Sequence, residues 1–201
     1  MLDSLLQRRR LSGMKMRLSI AALAILAAPA SLQAELPVGA RAPNFSTQAA
    51  LGGKTMPFNL QQALRRGPVV VYFYPKAFTQ GCTLETRAFA EAHDRFAAAG
   101  ATVLGLWADD LPTLQRFSTE ECRGKFAVGV ATPQITRAYD VAMRRDKLPA
   151  AAASRMAANL TGRTSYVIAQ DGRIRFVHSD LDYRDHVRLT LQAVQGLRRS
   201  R

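Results

Sequence analysis

The residues from Pro68 to Tyr74 form an unbroken apolar run, which is the clearest pattern in the chain. The run is rich in β-branched and aromatic side chains, and this is typical of a central strand that is buried on both faces. From Cys82 onward, apolar residues recur at every fourth position, namely Leu84, Ala88, Ala92 and Phe96. This spacing predicts a helix that Gly100 ends, and Thr102–Leu106 predicts a second buried strand. Strand, helix and strand in this order predict a parallel pair joined by a right-handed crossover.

Shorter patterns follow this unit. Asp110 and Pro112 suit the first turn of a helix. Asp171-Gly172 lies between two apolar segments, and such a pair is typical of the turn in an antiparallel hairpin. The expected elements are a helix to about Arg123, a strand over 128–131, a helix over 133–139, strands over 164–169 and 173–177, and a last helix that Asp182 caps.

Two further segments have weaker patterns. Glu35–Phe58 is rich in glycine, proline and small polar residues, and we expect an extended or hairpin lead-in there. Ala142–Thr161 combines charges with an alanine run, and we expect a loop with a partial helix. The order of all elements indicates an α/β protein with a thioredoxin-like fold, in which a central mixed β-sheet is flanked by helices. We expect this domain to span residues 35–201.

Residues 1–34 have the pattern of a secretory signal peptide. Lys15 and Arg17 precede the apolar run Leu18–Ala28, and small residues follow it. A membrane span needs about 20 apolar residues, and this run is shorter. We expect cleavage after Ala34, with Ala30 as the second choice. An uncleaved membrane anchor is the alternative.

The chain stays basic without this leader. Met1–Gly13 is a basic preface that a signal peptide does not need, which is consistent with a true start at Met14 or Met16. The whole chain has a net charge of +13, and residues 35–201 keep 23 basic and 14 acidic residues, a net charge of +9. We interpret these charges as a solvated surface, because no nucleic-acid motif accompanies them, and we expect no nucleic-acid partner. The one dense cluster is Arg198, Arg199 and Arg201.

Histidine and cysteine are scarce in this sequence. The three histidines lie far apart, and we expect each at the surface: His93, His178 and His186. With only two cysteines no zinc-site spacing emerges, and we expect neither a metal nor a cofactor. In an exported protein the default interpretation of Cys82 and Cys122 is a structural disulfide. The absence of a CxxC motif disfavours a thioredoxin-type thiol–disulfide oxidoreductase.

Cys82 occupies a position that favours a reactive thiol. It follows the predicted strand, a proline and a Thr-Gln-Gly loop, and it opens the predicted helix. A thiol in the first turn of a helix lies near the positive end of the helix dipole and near free backbone N–H groups. Both stabilise the thiolate, which is the nucleophilic form of cysteine.

The residues around this cysteine resemble the active-site loop of peroxiredoxins. Pro75–Cys82, PKAFTQGC, fits the P-x3-T-x2-C signature of that family. The longer stretch Tyr72–Glu85 is similar to the bacterioferritin comigratory protein subgroup, also called peroxiredoxin Q. The similarity continues through Phe117–Cys122 and Gly162–Ile168, and it covers nearly the whole chain from Leu36 onward. The resemblance implies the thioredoxin-like fold and a cysteine-based peroxidase activity.

The resemblance also implies a role for each active-site residue. Cys82 would be the peroxidatic cysteine, which attacks the peroxide and becomes a sulfenic acid. Thr79 would bond the peroxide or the thiolate, and Pro75 would shield the thiolate from water. Arg163 would stabilise the thiolate and polarise the peroxide, tasks that suit a permanently charged guanidinium. In the plainer alternatives, Thr79 is a turn residue, Pro75 only ends the strand, and Arg163 is a surface arginine.

A second cysteine would resolve the sulfenic acid. Many members of the subgroup carry it five residues after the peroxidatic one, where this chain has Arg87. The context of Cys122 resembles members that resolve from the following helix, so the resemblance implies an intramolecular Cys82–Cys122 disulfide. Its formation would require local unwinding, because disulfides need Cα atoms within about 7 Å. In the alternative, Cys122 is an idle buried thiol in a one-cysteine enzyme. Trp107 replaces the usual serine, and we expect it to fill the core rather than to reshape the pocket rim.

These inferences predict a thioredoxin-dependent peroxidase of the atypical two-cysteine type. Its substrates would be hydrogen peroxide and organic hydroperoxides, and a thioredoxin-like dithiol protein would reduce its disulfide. We expect a periplasmic or secreted monomer or weak dimer without stable membrane association. The alternative is an exported redox-sensing or chaperone-like binding protein of the same fold with a static disulfide.

Overall fold

The computed structural model of the chain describes residues 35–143 and 160–199. Its strands are β1 Ser46–Leu51, β2 Lys54–Asn59, β3 Val69–Phe73, β4 Thr102–Trp107, β5 Ala127–Val130, β6 Thr164–Ile168 and β7 Ile174–Ser179. Its helices are α1 Leu60–Leu64, α2 Gln80–Ala98, α3 Leu111–Glu120, α4 Pro133–Ala138 and α5 His186–Arg199. The expected signal peptide and residues 144–159 of the expected loop lie outside the described residues, and both stay predictions.

The described strands form one mixed sheet in the order β2-β1-β5-β4-β3-β6-β7. β3 pairs in parallel with β4, and β4 pairs in parallel with β5, which confirms the predicted βαβ unit. β6 pairs antiparallel with both β3 and β7, which confirms the hairpin at Asp171-Gly172. The predicted lead-in segment, Glu35–Phe58, contains the hairpin of β1 and most of β2. β1 also pairs antiparallel with β5, which attaches the hairpin to the rest of the sheet.

Helices cover both faces of the sheet. The side chains of β3 alternate between two hydrophobic clusters, with Val70 and Tyr72 in one and Val69, Val71 and Phe73 in the other. The first cluster contains residues of α2, α3 and α5, and the second contains residues of α1 and α4. All five side chains of β3 are fully buried, as the unbroken apolar run predicted. The expected α/β fold with a mixed sheet between helices is confirmed.

The buried face of α2 differs from the predicted stripe. Leu84 is 39 % exposed, whereas Glu85 and Phe89 are fully buried. Four residues advance a helix by more than one turn of 3.6 residues, so a strict spacing of four drifts around the axis. Phe96 at the end of the predicted stripe is buried, and Leu84 at its start has rotated to the surface.

Two helix ends also correct the sequence analysis. The third helix ends at Glu120, so Cys122 lies in the turn beyond it, where its amide donates to the Phe117 carbonyl at 3.1 Å. The last helix begins at His186, and Asp182 does not cap it. The Asp182 carboxylate instead accepts the backbone N–H of Arg184 in a separate turn, because a short polar side chain can close a local turn as readily as a helix. Within the described residues, no helix is long and apolar enough to cross a membrane.

Candidate active site

Cys82 lies in the first turn of α2, as predicted. The helix follows a short loop after β3, and its N-cap residue, Thr79, has extended backbone angles of φ −81° and ψ 148°. The first N–H groups of a helix have no intrahelical partner, so their positive partial charge lies next to this side chain. The cysteine is 1 % exposed, and its thiol is free. The structure thus places a buried thiol where a helix favours negative charge.

Arg163 contacts the Cys82 sulfur directly. Its Nη2 lies 3.5 Å from Sγ of Cys82, its Nε donates to the Leu181 carbonyl at 2.9 Å, and its Nη1 pairs with Oε2 of Glu85. Burial alone would lower the pKa of Arg163, but the charges of Glu85 and Cys82 more than offset this effect and raise it. With only 6 % of its surface exposed, Arg163 is a buried site residue and not a surface arginine.

The backbone places the arginine by two features. The hydroxyl of Thr161 donates to the Tyr74 carbonyl at 2.8 Å, which ties the segment before β6 to the end of β3. Gly81 leaves room on the side of α2, since a Cβ there would lie 3.3 Å from Nη2 of Arg163. The absence of a side chain at position 81 therefore permits the close approach of guanidinium and sulfur.

Glu85 belongs to the site, although the sequence analysis did not single it out. It follows Cys82 by three residues on the same face of α2, and it is fully buried. Burial raises the pKa of Glu85 to about 7, and the Arg163 guanidinium opposes this shift only in part. A glutamate three positions from the cysteine, on a helix face that turns inward, is a signal that the sequence did contain.

His186 contradicts the prediction that all histidines lie at the surface. It is fully buried at the start of α5, where its Nδ1 lies 2.7 Å from Oγ of Ser165 and 3.7 Å from Oε1 of Glu85. Its Nε2 lies 2.9 Å from the Asp180 carbonyl. These polar partners compensate for the burial of the ring, and no motif in the sequence indicates them. Burial lowers the pKa of His186 to about 4.

The two other predicted site residues, Pro75 and Thr79, precede the cysteine in the loop between β3 and α2. Thr79 is exposed, and its hydroxyl donates to the Lys76 carbonyl at 3.0 Å. Pro75 is half-buried and lies two residues after the end of β3. Phe78 has a left-handed backbone, with φ of 58°, and its ring packs edge-on against Phe117 of α3 at 5.0 Å. The loop is thus held against α3 at a point that stores backbone strain.

Cys122 shares the hydrophobic cluster of Cys82. Both thiols are free, and both act electrostatically on the buried hydroxyl of Tyr74. Burial, together with the negative charge of Glu121, raises the pKa of Cys122 well above its ordinary value. In this buried position Cys122 is therefore a thiol at neutral pH, and it becomes a nucleophile only where water reaches it.

An ion pair joins α2 to the turn that carries Cys122. Nε of Arg87 lies 2.6 Å from Oε2 of Glu121, and its Nη2 lies 3.3 Å from Oε1. The residue at the subgroup's usual resolving position thus binds the neighbour of Cys122. This two-point contact secures the turn in its buried arrangement.

Trp107 fills the core, as expected. It is fully buried, and its ring packs against Tyr74 at 3.7 Å and edge-on against Phe117 at 4.7 Å. It belongs to the cluster that holds both cysteines, and it is the single tryptophan of the chain. Its fluorescence therefore reports on changes around the two thiols. In the described part of the chain, no group of three or more histidine, cysteine or acidic residues is placed to hold a metal ion.

The fold and the site together define a cysteine-based oxidoreductase: a mixed sheet presents a buried thiol at a helix N-terminus, against an arginine. Comparison with known proteins narrows this class. The model of the AhpC/TSA family matches residues 38–177. Peroxiredoxin Q of the chloroplast of Oryza sativa subsp. japonica is 29% identical over 160 residues, which are 79% of this chain and 67% of that protein. Peroxiredoxin Bcp of Escherichia coli (strain K12) is 31% identical over 120 residues, or 59% of this chain and 72% of that protein.

Solved structures share the fold. Peroxidoxin BcpB from Mycobacterium tuberculosis superposes with a TM-score of 0.67 at 23% identity, over 81% of this chain and 98% of its own. Peroxiredoxin Q from Xanthomonas campestris gives a TM-score of 0.62 at 23% identity, over 74% and 89% of the two chains. The chain belongs to the AhpC/TSA family and is a peroxiredoxin similar to the Q and Bcp proteins, as its loop motif predicted. Membership in this family implies a thiol peroxidase activity.

Proposed function

We propose that this peroxiredoxin is a thioredoxin-dependent, atypical two-cysteine peroxidase that reduces hydrogen peroxide and organic hydroperoxides. The observation that carries the proposal is the 3.5 Å contact between Nη2 of Arg163 and Sγ of Cys82 in the first turn of α2. The guanidinium and the helix amides stabilise a thiolate, and they are in place before a substrate arrives. Preorganised donors of this kind lower barriers without reorganisation during the reaction.

The first chemical step takes place at Cys82. The thiolate attacks one peroxide oxygen, the S–O bond forms as the O–O bond breaks, and the departing oxygen takes a proton and leaves as water or an alcohol. Cys82 is oxidised to the sulfenic acid, and the peroxide is reduced. Thr79 and Pro75 border this position on the loop, where they would orient the peroxide and limit the access of water.

The second step would use Cys122. Its sulfur would attack the sulfenic sulfur, release the hydroxyl group as water and form the Cys82–Cys122 disulfide. The burial of Cys122 means that the turn after α3 has to open first. The left-handed backbone of Phe78 and the N-cap, which has no side-chain hydrogen bond, support a matching opening of the first turn of α2.

The remaining steps involve partners of the enzyme. An external, thioredoxin-like dithiol protein would reduce the disulfide and return both thiols. Residues 1–34 would direct the chain to the periplasm or out of the cell, and the mature protein would work as a monomer or weak dimer, free of the membrane. The basic start and short apolar run of these residues support export.

Two matched cysteine variants test this mechanism. Cys82→Ser should abolish peroxide consumption, because the nucleophile is lost. Cys122→Ser should retain one fast turnover, which the fluorescence of Trp107 measures. The same variant should lose recycling by a dithiol donor. Wild-type protein should lose two thiols per chain with one equivalent of peroxide. Turnover in Cys82→Ser, or thiols in the wild type that persist in excess peroxide, would contradict the proposal and favour the binding protein with a static disulfide.

A further inference from the structure

The ring of His186 has a defined hydrogen-bonding role on each nitrogen. Nε2 faces the backbone carbonyl of Asp180 at 2.9 Å, and a carbonyl only accepts, so Nε2 carries a hydrogen. Nδ1 lies 2.7 Å from the hydroxyl of Ser165. In the neutral ring Nδ1 carries no hydrogen, and its lone pair accepts the hydroxyl hydrogen of Ser165. Nδ1 therefore cannot act as a donor.

The same Nδ1 faces a carboxylate oxygen. It lies 3.7 Å from Oε1 of Glu85, and both side chains are fully buried. Oε1 has no hydrogen-bond partner among the described residues, whereas Oε2 pairs with Arg163. Two buried acceptors that face each other are unfavourable unless one of them carries a proton. The carboxyl group or the imidazole can hold that proton.

The occupancy of this proton position changes the charge that surrounds Arg163. When Glu85 is ionised, the guanidinium divides its interaction between a carboxylate and the Cys82 sulfur. When Glu85 is neutral, the thiolate is the guanidinium's remaining anionic partner. We propose that Glu85 and His186 form a buried proton-binding pair that sets how strongly Arg163 attracts the Cys82 thiolate, with His186 as a positioning residue. This inference rests on the peroxidase function proposed above.

The surroundings of the pair support one bound proton near neutral pH. Burial raises the pKa of Glu85 to about 7 and lowers that of His186 to about 4, so between these values Glu85 holds the proton and the ring is neutral. The other titratable or charged groups that face the pair are Cys82 on α2, Arg163 before β6, His178 on β7, Asp180 before α5, and Tyr72 and Tyr74 at β3.

The pH profile of Cys82 oxidation tests the proposal. Rates with hydrogen peroxide are measured by stopped-flow fluorescence of Trp107 from about pH 5 to about pH 9, so that the window extends about two units to either side of the Glu85 pKa of about 7. The wild type should show an inflection near pH 7. Glu85→Gln should remove this inflection. His186→Asn should move it to lower pH by about one unit, a tenfold change in proton affinity, because an amide N–H donor replaces the Nδ1 lone pair.

His178, a half-buried neighbour of His186, provides a matched control. His178→Gln removes a ring that packs on His186 at 4.5 Å but forms no hydrogen bond or ion pair with Glu85, and it should keep the inflection. An inflection that survives Glu85→Gln, or that stays in place or moves to higher pH in His186→Asn, would overturn the proposal.

A second readout does not depend on turnover. The infrared band of a neutral, buried carboxyl group should be present in the wild type below about pH 7, disappear above it and be absent in Glu85→Gln. A wild type without this band would also overturn the proposal, whatever the kinetics of the variants. If the wild type does not react with peroxide at any pH, the peroxidase function itself fails. If it reacts and Glu85 has no influence on the profile, only the proton-binding pair fails.

Discussion

At the scale of single residues, the site depends on one guanidinium that satisfies three partners at once. Arg163 reaches a carbonyl, a carboxylate and the sulfur of Cys82 from a single side chain. Lysine has one nitrogen on a flexible stem and cannot reproduce this planar arrangement. We therefore expect Arg163→Lys to slow the oxidation of Cys82 by tenfold or more, measured by stopped-flow fluorescence. A rate equal to that of the wild type would show that charge alone suffices.

Gly81 links stability and activity in opposite directions. Gly81→Ala should stabilise the fold by about 0.5 kcal/mol, because alanine restricts the unfolded chain and the position has an ordinary helical backbone. The added Cβ would lie 3.3 Å from Nη2 of Arg163, so Nη2 has to shift by a few tenths of an ångström. This shift is enough to weaken its 3.5 Å contact with the Cys82 sulfur while Nε and Nη1 keep their partners. We expect a higher midpoint in urea denaturation together with slower peroxide reduction. A variant that is more stable and fully active would contradict the steric argument.

The residues of the site differ in how far the sequence could predict them. Cys82 and Arg163 were found because the loop motif and the spacing of a known family include them. Glu85 lay within reach of helix geometry, since a residue three positions from Cys82 shares its face. His186 is different, because its burial depends on where β6, β7 and α5 meet, and no local pattern encodes such a long-range contact.

At the scale of elements, an ion pair joins α2 to the turn after α3 that carries Cys122. The ion pair of Arg87 and Glu121 is two-pronged, and Glu121 keeps only 10% of its side chain exposed. Arg87→Ala should release the turn and speed the formation of the Cys82–Cys122 disulfide by about fivefold, equivalent to about 1 kcal/mol. The rate of the initial oxidation should not change.

An exposed ion pair elsewhere provides the control for this variant. Arg188 pairs with Asp185 within one turn at the start of α5, and both side chains are more than half exposed. Arg188→Ala should leave both rates unchanged, because surface pairs of this kind contribute little. Rapid quench and thiol counting measure the rate of disulfide formation in both variants. An equal acceleration of this rate in the two variants would contradict a specific role of Arg87.

The predicted elements succeeded where the pattern was strong and local. The apolar runs of β3 and β4 and the Asp-Gly hairpin were sufficient to place four strands of the sheet. The predicted start of α5 was wrong because Asp182 closes a separate turn, four residues before the first residue of the helix. The predicted buried face of α2 was also wrong at Leu84, because a strict spacing of four residues drifts around the axis of a helix with 3.6 residues per turn.

At the scale of the whole molecule, the buried pair makes the free energy of unfolding depend on pH. Burial raises the pKa of Glu85 from its ordinary 4.5 to about 7, so its contribution to stability is complete below pH 4.5 and is lost as pH rises through about 7. Burial lowers the pKa of His186 from 6.5 to about 4, so its contribution is present above pH 6.5 and is lost as pH falls through about 4. Between these limits the two slopes have opposite signs and offset each other.

Single substitutions should separate these slopes. Relative to the wild type, the free energy of unfolding of Glu85→Gln should rise with pH by on the order of 2 kcal/mol between about pH 5 and about pH 6.5, because only the histidine slope is left. His186→Asn should show the opposite trend in the same range. Urea denaturation at several pH values measures both, and parallel curves for all three proteins would rule out titration of this pair.

The proposed peroxidase mechanism requires that the sulfur of Cys82 is the atom that takes oxygen from the peroxide. The most direct measurement is the intact mass of the Cys122→Ser variant, with peptide mapping, after one equivalent of hydrogen peroxide. We predict a gain of one oxygen atom at Cys82 within the mixing time. A protein that keeps its mass, or that gains the oxygen at another residue, would contradict the assignment.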